Sequence, residues 1–113
     1  MSILVSIVTY NHAASIADAV QSALRQTYTP LEIVVVDNNS LDDSISYLEK
    51  NYPEIKIIKN KRNLGFAKGN NIGFEASTGD YVLVLNNDTI VTPNFLAPLI
   101  KDFENDPEIA CLQ

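Results

Sequence analysis

Apolar positions along this chain follow two alternating rhythms. Ile3–Val8 is apolar throughout except for Ser6, and rich in β-branched residues, which predicts a strand buried on both faces. Thr9, Tyr10 and Asn11 end it. Ile16, Val20 and Leu24 then recur every four residues with Ala19 and Ala23 beside them, one face of a helix that Thr29-Pro30 closes. Ile33–Val36 predicts a second buried strand ending at Asp37. Ser40, with Asp43 three residues on, is placed to cap a second helix whose stripe is Leu41, Ile45, Leu48 and Tyr52 and whose stop is Pro53. Ile55–Ile58, carrying Lys56 and followed by Lys59, reads as a third strand nearer a sheet edge. After a Gly- and Asn-rich segment from Asn63 to Gly79, Tyr81–Leu85 predicts a fourth strand. Thr92-Pro93 signals the start of a last helix, which Pro98 should bend or delay, and Ile109–Leu112 reads as the beginning of a fifth strand.

Strands alternating with helices imply an α/β fold, three-layer α/β/α, with a mostly parallel, Rossmann-like sheet. Right-handed crossovers make 3-2-1-4 the simplest strand order. The order reverses between strands 1 and 4, and open sheets of this kind bind ligands beyond the carboxyl ends of the strands at that switch point.

Polar residues collect there. The first strand delivers Thr9-Tyr10-Asn11, the second Asp37-Asn38-Asn39-Ser40, and the fourth Asn86-Asn87-Asp88-Thr89. Taken singly each cluster could be turns and caps; their convergence favours a site. All four glycines lie between Gly65 and Gly79, and Gly65, Gly69 and Gly73 would stack on one helix face. An interior helical glycine costs about 1 kcal/mol against alanine, so a close approach should offset it, either to the sheet or to a ligand. Gly79 reads as a helix C-cap.

Other nucleotide-binding patterns are excluded by position. No glycine follows the first strand, as a dinucleotide fingerprint requires, and no G-x-x-x-x-G-K-[ST] phosphate loop occurs. His12 is the only histidine and has no neighbouring cysteine or histidine for a metal cluster, so it reads as a loop residue.

Composition adds a few limits. The 113 residues are 46% hydrophobic and 19% charged, ordinary for one globular domain spanning 1–113. The net charge of −6, from 14 acidic and 8 basic residues, argues against a nucleic-acid partner, which needs a basic face. Cys111 is the one cysteine and reads as a buried strand residue; with no internal disulfide, a reducing compartment is expected. No signal peptide is read at the N-terminus, and no run approaches the ~20 apolar residues of a membrane span. A soluble, cytoplasmic piece is expected, with membrane association left open for a longer protein.

Four motifs in order carry a resemblance: Val5-Ser6-Ile7-Val8-Thr9-Tyr10-Asn11, Glu32-Ile33-Val34-Val35-Val36-Asp37-Asn38-Asn39-Ser40, Asn63-Leu64-Gly65-Phe66-Ala67-Lys68-Gly69-Asn70-Asn71-Ile72-Gly73, and Leu85-Asn86-Asn87-Asp88-Thr89. Over nearly its whole length the chain resembles the nucleotide-sugar-binding half of family 2 glycosyltransferases of the GT-A fold, and the Gly-Asn segment is similar to rhamnosyltransferase-like members, which use dTDP-rhamnose. The resemblance implies that Thr9, Tyr10 and Asn11 line a nucleotide pocket, that Asp37 contacts the base, and that Arg62, Asn63 and Asn71 lie near the nucleotide and its phosphates. It aligns Asn86-Asn87-Asp88 with the family's D-x-D metal motif. Asn86 stands where the first acid belongs, so Asp88 alone would supply a carboxylate to Mg²⁺ or Mn²⁺, with Asn86 and Asn87 beside the nucleotide. The implied activity is inverting transfer from a UDP- or dTDP-linked sugar to a saccharide hydroxyl, in cell-surface polysaccharide synthesis. The catalytic base is expected beyond residue 113, so that the chain alone should bind donor without transferring it. A non-catalytic nucleotide-binding or assembly module on the same fold is the alternative, kept open by Asn86.

Overall fold

The structure, a computed structural model, describes residues 2–77 and 79–112. Its order is β1 (Ile3–Thr9), α1 (Ala13–Leu24), β2 (Leu31–Asp37), α2 (Ser44–Asn51), β3 (Lys56–Lys59), α3 (Phe66–Glu75), β4 (Tyr81–Val84) and α4 (Leu96–Asn105). The four strands form one parallel sheet in the order β3-β2-β1-β4, as the strand-helix alternation predicts.

β1 is the centre of the core, and all seven of its residues are buried. Its odd positions, Ile3, Val5 and Ile7, join Val20 of α1, Leu48 of α2 and Ile100 of α4 in one cluster, so these three helices cover one face. The even positions face α3. A Cβ added to Gly69 would lie 2.8 Å from Val8 Cγ1, and one added to Gly73 would lie 2.1 Å from Ser6 Oγ. Of the two roles open to these glycines, the structure shows packing: they let the helix backbone rest on β1. Gly65 instead precedes the helix at φ 86°, a conformation that favours glycine.

Several boundaries differ from expectation. α2 starts at Ser44 and not after Ser40, because Asp42 Oδ1 accepts bonds from Ser44 N (3.1 Å) and Ser44 Oγ, while Ser40 is engaged elsewhere. Leu41 is accordingly outside the helical stripe and 81% exposed. α4 starts at Leu96, four residues after Thr92. Buried Gln26 holds the approach, donating to the Thr92 carbonyl at 2.6 Å and accepting Leu96 N–H at 3.2 Å. Pro98 thereby falls in the first turn, where its missing N–H costs no helical bond. α3 ends at Glu75 with Ala76 as C-cap, so Gly79 is not a cap; a Cβ added to it would lie 3.1 Å from Ser2 Oγ and 3.2 Å from the Ser2 carbonyl oxygen. Residues 109–112 form no strand: no described neighbour offers them a ladder, and Ile109 N–H bonds the Asp106 carbonyl in a turn. Cys111 is correspondingly exposed, not buried.

The approach of α3 to β1 sets a direct test. Gly73→Ala should lower unfolding stability by about 1–3 kcal/mol, because overpacking outweighs the propensity gain of alanine. Ser6 Oγ is buried without a hydrogen-bond partner among the described residues, so Ser6→Ala alone should be nearly neutral. In the Gly73→Ala background it should recover most of the loss. Urea denaturation of the four proteins reads this cycle, and additive effects would refute the contact.

Candidate functional site

Asp37, the last residue of β2, is 5% exposed, and its carboxylate is held by the residue three positions on. Ser40 Oγ donates to Asp37 Oδ1 at 2.6 Å, and Ser40 N–H donates to the same carboxylate at 3.1 Å. Ser40 Oγ in turn accepts Asn11 N–H at 2.9 Å. Asn11, at φ 52°, turns its own side-chain carbonyl toward the same loop and accepts Leu41 N–H at 2.7 Å and Asp42 N–H at 3.3 Å. Asp42 Oδ2 closes the circuit by accepting Ala13 N–H, the first of α1, at 3.2 Å. This clasp ties the loops after β1 and β2 together. The bond from the Ser44 hydroxyl holds the Asp42 carboxyl below its usual range, so its contribution to stability is complete above that range and is lost as pH falls through the lowered value.

A second network fixes the loop before α3. Asn38 is 3% exposed; its N–H donates to the Thr9 carbonyl at 2.9 Å and its amide donates to the Gly65 carbonyl at 3.2 Å. Asn38 Oδ1 accepts from Asn60 Nδ2 at 2.9 Å. Asn63 Oδ1 accepts Gly65 N–H at 2.9 Å. From the other side of β1, Asn87 Nδ2 reaches Thr9 Oγ1 at 3.4 Å.

Between these networks lies an open cleft at the carboxyl ends of the strands. Thr9, Tyr10, Asn38, Asn63, Phe66 and Asn87 line it, together with Val8, His12 and Gly65. Of the residues singled out in the sequence, Thr9, Tyr10, Asn63 and Asn87 are thus brought together. Asn11 and Asp37 form the clasp that carries the adjoining loops. Arg62 is exposed next to Asn63, and Asn71 is exposed on α3, outside the cleft lining. Asn38 lines the cleft as a member of the Asp37–Ser40 cluster that the sequence places at the switch point, whereas His12, read as a loop residue, and Phe66 were not assigned to the site.

The lining includes no carboxylate. Asp88 stands exposed one residue beyond Asn87, in a turn closed by Thr89 N–H to the Asn86 carbonyl. Its carboxylate accepts no hydrogen bond among the described residues, so it does not cap that turn. No group of three or more His, Cys, Asp or Glu side chains among the described residues could by itself hold a metal. One free carboxylate with amide oxygens nearby is an all-oxygen donor set, which suits Mg²⁺ or Mn²⁺ provided a bound ligand supplies further oxygens. A separate groove along β4, lined by Tyr81, Leu83, Leu96, Ile100 and Phe103 among others, is mainly apolar and offers no comparable polar group.

The model of Glycosyl transferase family 2 matches residues 4–113. A Haemophilus influenzae protein described as an uncharacterized glycosyltransferase is 35% identical over 114 residues, covering 96% of this chain and 35% of the relative. The chondroitin synthase of Escherichia coli is 31% identical over 106 residues, 91% of this chain and 15% of that protein. Among solved structures, the mannosyltransferase PcManGT of Pyrobaculum calidifontis, in complex with GDP-Man and Mn²⁺, superposes with a TM-score of 0.86 at 25% identity, over 98% of this chain and 35% of that one. The chain therefore spans about a third or less of the length of these proteins.

The clasp predicts a structural role for Asn11. Asn11→Ala should cost about 1–3 kcal/mol, from two backbone N–H groups losing their acceptor and from alanine at positive φ. Asn11→Gly should cost less, since it relieves only the second of these. Equal denaturation midpoints for Asn11→Ala and the parent would show that the clasp carries no load.

Proposed function

The chain belongs to glycosyl transferase family 2, and on that footing we propose that its polar cleft binds the nucleotide diphosphate of a sugar donor, with Asp88 the carboxylate that meets a divalent cation. One observation carries this reading: side chains from the ends of β1, β2 and β4 converge where the strand order reverses, and Asp88, one residue past the lining residue Asn87, has a carboxylate that accepts no hydrogen bond among the described residues. Thr9, Tyr10 and Asn11 form the β1 side of the site. Asn63, Arg62 and Asn71 belong to the β3–α3 segment that faces the nucleotide and its phosphates, and Asn86 and Asn87 flank the metal ligand.

Asp37 is assigned to the base. Ser40 occupies much of its carboxylate, but Asp37 Oδ2 accepts only a shared bond at 3.3 Å and has lone-pair capacity left. It can accept the ring N–H of uracil or thymine, the bases of a UDP- or dTDP-linked donor. The Asn63–Gly73 segment, similar to rhamnosyltransferase-like members, supports the dTDP arm. PcManGT was solved with a guanine nucleotide, and guanine also presents a ring N–H.

The reaction is inverting transfer: an acceptor hydroxyl forms the new bond to the anomeric carbon as the bond to the diphosphate oxygen breaks. A bound cation would neutralise charge gathering on that diphosphate. A base must take the hydroxyl proton, and since the cleft lining holds no carboxylate, we assign that base to residues outside this chain, so the chain alone binds donor without transferring it. Similarity to chondroitin synthase supports a saccharide acceptor and a role in polysaccharide synthesis. Asn86, an amide where an acid would double the charge, favours one other reading, a non-catalytic nucleotide-binding module.

Metal dependence separates the two. With a lone carboxylate the cation should bind weakly by itself and tightly with nucleotide, so Mn²⁺ should raise UDP or dTDP affinity by the factor that the nucleotide raises Mn²⁺ affinity. Calorimetry should show that coupling in the parent, its loss in Asp88→Asn with metal-free nucleotide binding nearly unchanged, and stronger metal binding without nucleotide in Asn86→Asp. Nucleotide binding indifferent to Mn²⁺ in the parent would favour the non-catalytic module. Equal coupling in parent and Asp88→Asn would remove Asp88 from the site.

A further inference from the structure

The basic residues are segregated. Five of the eight, Lys56, Lys59, Lys61, Arg62 and Lys68, fall between positions 55 and 74, a stretch without a single Asp or Glu. That stretch carries +5, while the rest of the chain, with 3 basic and 14 acidic residues, carries −11. The topology puts the positive stretch on one side of the molecule. β3 is an outermost strand of the sheet, the loop after it runs past the cleft, and Lys68 lies in the first turn of α3. All five side chains are exposed. Lys59 pairs with Glu49 at 2.9 Å; the other four make no ion pair among the described residues.

Two simpler roles account for only part of this. Lysines on an edge strand discourage edge-to-edge pairing, which covers Lys56 and Lys59 but not the three cations beyond the strand. Diphosphate binding could use Arg62 beside Asn63. Lys56, however, pairs in register with Val34, three residues back from the carboxyl end of the sheet, or roughly 10 Å at strand spacing. The strip is therefore longer than a diphosphate, and the cleft lining takes none of its cations.

We propose that this strip, from the β3 edge through the loop to the start of α3, docks the protein on an anionic lipid bilayer. Cations spread along an edge match a laterally extended layer of headgroups better than a single ligand, and each basic residue near such a surface adds to binding. The acidic remainder does not forbid this. The molecule extends 44 Å along its longest axis, whereas charges interact over about 8 Å at physiological ionic strength, so the strip acts locally. Asn63 and Gly65 share its loop, so docking would bring the mouth of the cleft close to the headgroups. This inference does not depend on what the cleft binds.

Vesicle co-sedimentation tests it, with phosphatidylcholine alone and with phosphatidylcholine mixed with phosphatidylglycerol. The parent should bind the anionic vesicles, not the neutral ones, and release at high salt. Lys56→Gln/Lys61→Gln/Lys68→Gln should bind at least about tenfold more weakly. Arg25→Gln/Lys50→Gln/Lys101→Gln makes the same change in net charge outside the strip and should stay within about twofold of the parent. Failure of the parent to bind anionic vesicles overturns the proposal, as do equal losses in the two variants. A parent that prefers a soluble single-stranded oligonucleotide to the vesicles also overturns it, because the strip would then serve a polyanion in solution. UDP titration of the parent reads the cleft separately.

Discussion

The rest of the site depends on how closely α3 lies on β1. Gly69 and Gly73 present no side chain to the sheet, and the space a Cβ would need is already filled by Val8 and Ser6. A larger residue at either position would lift the helix, and the loop before it would lift too. That loop carries Gly65, whose carbonyl and N–H are held by Asn38 and Asn63, and Phe66, which forms part of the cleft wall. The glycines thus weaken the helix locally and in return place a polar loop over the carboxyl end of the central strand. Ser6 and Asn70 keep buried oxygen atoms without a partner among the described residues, a further sign that this contact is set by shape and not by hydrogen bonding.

The polar residues at the strand ends divide their labour. Asn11, Asp37, Ser40 and Asp42 spend most of their hydrogen-bonding capacity on each other and on backbone N–H groups, which makes the loops after β1 and β2 a single unit. Thr9, Tyr10, Asn63 and Asn87 are left facing the cleft on that rigid base. Groups already in position hold a flexible ligand better, because less order has to be imposed on binding. Asp88, one residue beyond the lining residue Asn87, is exposed and its carboxylate accepts no hydrogen bond among the described residues.

Much of this was legible in the sequence, for identifiable reasons. The two strands buried on both faces read as continuous apolar runs, the crossover rule limited their order, and the polar clusters marked the switch point. What could not be read was set by distant partners. Gln26 delays α4 through bonds to residues 66 and 70 positions away, and Asp42 moves the start of α2 by claiming Ser44. Nothing in the spacing of Asn11 and Asp37 disclosed that both also bond Ser40, or that Asn11 accepts the Leu41 and Asp42 N–H groups. Cys111 read as a buried strand residue because its neighbours are apolar, yet a strand requires a ladder that no described segment provides. Phe66 and His12 have ordinary local sequence, and only the fold brings them to the cleft.

The central claim is that the carboxyl-end cleft, and not the apolar groove along β4, is where a nucleotide binds. Backbone amide NMR of the chain titrated with UDP and Mg²⁺ tests it residue by residue. The account predicts shifts concentrated at Thr9, Tyr10, Asp37, Asn38, Asn63, Gly65, Phe66 and residues 86 to 88. Shifts clustered instead at Tyr81, Leu96, Ile100 and Phe103, or none with UDP, dTDP or GDP, would contradict it.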